Sequence, residues 1–89
     1  MSDEDYRELQ QTLVGDPERG AIIRHSGGLR KIRWARLGRG KRGGVRAIYY
    51  WARSHEILLM LLIYGKNEQD DLTPEQLRAL KFVVEKEFK

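Results

Sequence analysis

Eighty-nine residues with a formal net charge of +4 make one small domain, 1–89, with a thin core. The absence of cysteine excludes disulfide staples and thiolate metal sites, and it fits a reducing cytoplasm. Met1 is followed at once by Ser-Asp-Glu-Asp, unlike a signal peptide, and the longest apolar run, Ile57 to Ile63, is too short to span a bilayer, so a cytoplasmic protein off the membrane is expected.

Residues 2–14 read as a helix. Ser2 and Asp5 have capping-box spacing, and Asp3, Glu4 and Asp5 suit the positive end of the helix dipole. Tyr6, Leu9 and Leu13 recur at helical spacing, Gly15 suits a C-terminal cap, and Pro17 prevents continuation. A long connection follows, with Ile22 and Ile23 as a short apolar anchor or minor strand and Ser26-Gly27-Gly28 as a turn. Leu29 to Ala35 alternates: Ile32 and Trp34 face one way, toward a core, while Lys31 and Arg33 face the other with Leu29 and Ala35. Leu37 to Gly44 is a glycine-rich hairpin tip, and Val45 to Trp51 is a second strand rich in β-branched and aromatic residues.

Ser54-His55 marks the next turn. Ile57 to Tyr64 is a continuous apolar strand, which predicts a central place in the sheet with both faces covered. Gly65 to Leu72 is a polar loop. A last helix starts after Thr73, with Pro74 in its first position, Gln76 completing a capping box and Leu72 stapled to Leu77. Leu77, Leu80, Val84 and Phe88 form its apolar stripe. The expected fold is α+β, an antiparallel β-meander of three or more strands with an N-terminal and a C-terminal helix.

Charge is unevenly spread. Leu29 to Trp51 carries Arg30, Lys31, Arg33, Arg36, Arg39, Lys41, Arg42 and Arg46, and no acid occurs between Glu18 and Glu56. So much like charge on neighbouring strands is self-repelling, and a polyanionic partner is the simplest reason to keep it. His25 and His55 fall in turns, in no constellation. Glu68 with Asp70-Asp71 precedes a helix N-terminus, where acids are expected anyway, so neither a metal site nor a cofactor is expected.

The ordered series GGLRKIRW, a Gly/Lys/Arg loop, RGGVRAIYYW and IYGKNEQDDLTPEQLRAL resembles the RelE/ParE toxin superfamily, and within it the HigB-like RelE branch, over roughly residues 2–88. The resemblance implies a short helical segment ahead of a curved antiparallel sheet with a basic concave face. It implies a toxin of a type II toxin–antitoxin pair, partnered by a small antitoxin of helix-turn-helix type, that enters the ribosomal A site and cuts mRNA there. ParE-type members instead poison DNA gyrase, and a non-catalytic or truncated nucleic-acid or antitoxin-binding module is a further alternative. Family members usually begin with a strand and part of a helix ahead of the segment that opens at Met1, so a sheet short of that strand is expected.

Two further departures concern the site. The family archetype has a lysine pair flanking an apolar residue where this chain has Lys31-Ile32-Arg33. Its loop arginine and C-terminal tyrosine fall at Asn67 and Thr73 and do not carry over. Lys31, Arg33, Arg46 and Lys66 do match basic positions and are the candidate catalytic set.

Metal-free RNA cleavage needs a base for the 2′-OH, cations around the phosphorane and an acid for the leaving 5′ oxygen. Arginine stays protonated, so Arg33 and Arg46 are read as phosphate clamps, Lys31 as general base or electrostatic stabiliser, and Lys66 as stabiliser or proton donor. Tyr64 is a candidate for base stacking or proton donation. Arg30, Arg36, Lys41 and Arg42 are candidate RNA contacts, although Arg30 and Arg36 taken singly read as well as solvated strand cations.

Overall fold

Acids at the front and apolar residues at helical spacing behind them produce α1, Asp3–Gly15. This computed structural model describes residues 3–34, 44–66, 68–69 and 71–88, which leaves Ser2 of the expected capping box, the hairpin tip 35–43 and Asn67 outside. Leu9 and Leu13 of α1 are fully buried. Burying a leucine side chain stabilises by about 1.5–3 kcal/mol, enough to dock this short helix. Gly15 is the last helical residue, and the Asp16 N–H donates to the Thr12 carbonyl at 3.1 Å.

Ala21–Ile22 forms a minor strand, β1, antiparallel to β2, Leu29–Trp34, with Ile22 exposed and Ile23 packed on a core. The turn between them is built by one side chain. The Ser26 hydroxyl donates to the Ile23 carbonyl at 2.5 Å and accepts the Leu29 N–H at 2.9 Å, so this buried hydroxyl is satisfied. Gly28 closes the turn at φ +109°, a region that side chains with a Cβ rarely enter.

β2 pairs with β3, Val45–Ala52, and β3 with β4, Ile57–Gly65, so the sheet order is β1-β2-β3-β4 with every pair antiparallel. A tight helical turn, Arg53–His55, links β3 to β4. Helix α2, Pro74–Phe88, follows β4. Its capping box is closed reciprocally: the Gln76 N–H donates to Thr73 Oγ1, and the Thr73 N–H donates to Gln76 Oε1, both at 3.1 Å.

The sheet separates two cores. Ile32, Ala47 and Tyr49 meet Leu9 and Leu13 of α1, with Trp34 alongside. Leu29, Ile48 and Tyr64 meet Val84 of α2, with the stapled Leu72 and Leu77, Leu80 and Phe88 around them. Alternation therefore divides β2 as expected, with Ile32 and Trp34 opposite Leu29, Lys31 and Arg33. The second face is also a core, however, because α2 covers its Leu29 end.

One expectation is corrected. β4 is an edge strand, with β3 as its single sheet neighbour among the described residues. Leu58, Met60 and Ile63 touch the α1 core, and Leu61 and Leu62 touch the α2 core. Its unbroken apolar run thus reports two covered faces, as read. Side-chain pattern carries no information about who pairs with the strand laterally. The register shift between β3 and β4 at Ile48/Tyr49 adds a bulge at this edge.

Candidate nucleic-acid interface

Three strands bring the predicted cations into one row. Arg33 lies directly opposite Arg46, and Arg46 directly opposite Tyr64. Side chains of register partners share a face, so all three project on the α2 side, at the end where that helix begins. Lys31 lies on the same face two residues along β2. Lys66 lies two residues beyond Tyr64, where its N–H donates to the Gly44 carbonyl at 3.2 Å and prolongs the β3–β4 ladder by one step. Arg33 and Lys66 are exposed and Arg46 half-buried.

Lys31 is not free. Its Nζ donates to Asp71 Oδ1 at 3.1 Å in an ion pair whose partners are 32% and 66% exposed. The same oxygen accepts the Leu72 N–H at 2.8 Å. The Leu72 N–H first, and then the Lys31 ammonium, hold Asp71 below the usual carboxylate range, with a further contribution from the Arg46 charge. Sequence reasoning took Asp71 for an ordinary acid ahead of a helix. Its contact with Lys31 spans forty positions, and no local spacing announces it.

Tyr64 completes the group from beneath. The residue is only 4% exposed within the α2 core, so its ring has no open face for a base to stack on. Its hydroxyl is buried with no hydrogen-bond partner among the described residues. Burial raises its pKa most, the Asp71 charge raises it further, and the Arg46 charge opposes both. Asp71, Arg46, Tyr64 and Lys31 therefore form one electrostatic group.

Arg30 departs from the set. It alternates to the α1 face, where its guanidinium donates to the Glu18 carbonyl at 3.1 Å and the Gly20 carbonyl at 2.7 Å. Tyr49 works on the same connection: its hydroxyl accepts the Gly20 N–H and donates to the Pro17 carbonyl, each at 2.8 Å. Arg30 and Tyr49 together tie residues 17–20 to the sheet. Arg36, Lys41 and Arg42 lie outside the described residues.

Neither histidine joins the row. His55 shares a hydrogen bond with Ser54 and lies edge-on to Phe88, at a cleft of about 540 Å³ lined also by Tyr50, Trp51 and Arg53. That cleft opens at the opposite end of β3 from Arg46. Among the described residues, no group of His, Asp and Glu side chains is placed to hold a metal ion. No helix among them is long and apolar enough to cross a membrane.

An antiparallel sheet between an N-terminal and a C-terminal helix, with like charges in register at one end, defines a small α+β protein of RelE-like architecture. The chain belongs to the RelE toxin family: the family described as the RelE toxin of the RelE/RelB toxin–antitoxin system matches residues 6–89. It is thus the toxin of a toxin–antitoxin pair, and an antitoxin is its partner.

Proposed function

We propose that this toxin is a metal-independent endoribonuclease that cuts mRNA in the A site of the ribosome, with Lys31, Arg33, Arg46 and Lys66 around the scissile phosphate. The observation that carries the reading is the register pair Arg33–Arg46. Like charges directly opposite on one face of a sheet are destabilising. An anion lying between the two guanidiniums removes that cost and is gripped by both planar forks. Toxins of this family are generally ribonucleases, which supports RNA as the source of the anion.

The chemistry uses groups within this row. The 2′-oxygen attacks the adjacent phosphorus, the bond from phosphorus to the 5′ oxygen breaks, and the products are a 2′,3′-cyclic phosphate and a 5′-hydroxyl. Arg33 and Arg46 stabilise the extra charge on the pentavalent phosphorane. The two lysines are the groups in the set that can exchange a proton, because arginine keeps its own. Lys31 acts as base or stabiliser, and Lys66, at the exposed end of β4, as stabiliser or proton donor. The cognate antitoxin, of helix-turn-helix type, and the ribosome are the partners of this reading, and the cytoplasm is its place.

Inducible expression with mapping of mRNA 5′ ends tests it. Growth arrest is expected together with new 5′ ends inside translated messages, and co-expressed antitoxin relieves both. Lys31→Ala with Lys66→Ala abolishes the new ends while the circular dichroism spectrum stays the same. Intact messages in arrested cells, with altered DNA supercoiling, would falsify the ribonuclease reading in favour of gyrase.

A further inference from the structure

Asp71, just ahead of α2, sends a negative charge into the cationic row. Asp71 Oδ1 holds the Lys31 ammonium at 3.1 Å and the Leu72 N–H at 2.8 Å, with Arg46 on the same face of the sheet. An ammonium, a backbone N–H just before a helix N-terminus and a guanidinium are the donors that bind phosphate oxygens. A fourth donor is unspent among the described residues: the Tyr64 hydroxyl, in register with Arg46, is buried and has no partner there. A single carboxylate does not exhaust this set.

We infer that Asp71 is an internal anion occupying the phosphate position on Lys31, so that its carboxylate holds that position until a polynucleotide phosphate displaces it. This rests on the reading of the row as an RNA site. Displacement costs little, because Asp71 is 66% exposed and exposed ion pairs are weak. Described neighbours brace the backbone of Asp71 and the start of its segment. Gln69 Nε2 donates to the Asp71 carbonyl and to Gln76 Oε1, both at 2.8 Å, and Glu68 Oε1 accepts the Gly65 N–H at 2.6 Å. Asp71 is thus a positioning residue that acts through Lys31. It gives the toxin a preference for substrate presented at high local concentration over dilute free RNA.

The test is Asp71→Asn, which removes the charge yet keeps an oxygen for the Leu72 N–H. The probe is a short, fluorescently labelled, 2′-O-methylated single-stranded oligoribonucleotide, read by anisotropy across a salt series. Asp71→Asn is expected to tighten Kd about threefold. It should steepen the slope of log K against log salt by about 0.7, the increment for one more neutralised phosphate on a single strand. In a Lys31→Met background the same substitution should give no gain, since the effect runs through that ammonium. Equal or weaker binding by Asp71→Asn, beside a wild type that binds, overturns the inference and leaves the RNA site standing. An equal gain in the Lys31→Met background also overturns it, by showing a mere net-charge effect. Absence of binding by wild type and variant alike sinks both readings.

Discussion

Two tyrosine hydroxyls in this molecule are buried for opposite reasons. That of Tyr49 is fully used, between the Gly20 N–H and the Pro17 carbonyl. That of Tyr64 is unused among the described residues. Tyr49→Phe should lower stability by about 1–3 kcal/mol in denaturant melts, because two backbone groups lose their partner. Tyr64→Phe should leave stability level or raise it, because it removes an unsatisfied hydroxyl. The same change should weaken oligoribonucleotide binding, because it removes a donor beside Arg46. Both phenols have raised pKa values, with burial the largest cause for each. A raised folded-state pKa gives stability that is complete below the unfolded value of about 10 and is lost as pH climbs through the folded value. Alkaline unfolding should therefore begin near pH 10, and the double Phe variant should show a shallower loss above it.

At the scale of elements, α1 and α2 are held in different ways. α1 depends on Leu9 and Leu13 against the sheet, so Leu13→Ala should cost about 2–5 kcal/mol by calorimetry or denaturant titration. α2 starts from a closed capping box, and Thr73→Ala should cost about 1 kcal/mol. That substitution also loosens the segment carrying Asp71, two residues upstream. Between α1 and β1 the chain crosses Tyr49 at Gly20, where an added Cβ would lie 2.8 Å from the ring. Gly20→Ala should accordingly destabilise the docking of residues 17–20, seen as faster amide exchange there than in α2.

Across the whole molecule, charge and fold pull against each other at one end of the sheet. Arg33→Ala and Arg46→Ala should each leave the melting temperature unchanged or raise it, since each relieves a like-charge register pair. Each should also weaken oligoribonucleotide binding and reduce the salt slope by about 0.7. A drop in stability with no change in binding would show the pair to be structural. β4 is the complementary feature: nine residues, Ile57–Gly65, without a charged side chain, lie along an edge of the sheet that the described residues form. Natural edge strands usually carry charge or proline to block further pairing, and this one has neither.

Both helices, the three long strands and the Thr73–Gln76 box were legible in the sequence because each depends on residues within a few positions of one another. Alternation in Leu29–Trp34 was enough to set Lys31 and Arg33 against Ile32 and Trp34. The tertiary structure decided what lay across longer separations. It put β4 at the edge, since lateral pairing leaves no mark on a strand that is apolar on both faces. It turned Arg30 toward the carbonyls of Glu18 and Gly20, although alternation had already set it opposite Lys31. It also brought Asp71 to Lys31 across forty positions. A periodic pattern reports the faces of its own element, whereas register, lateral order and ion pairing depend on which distant element packs beside it.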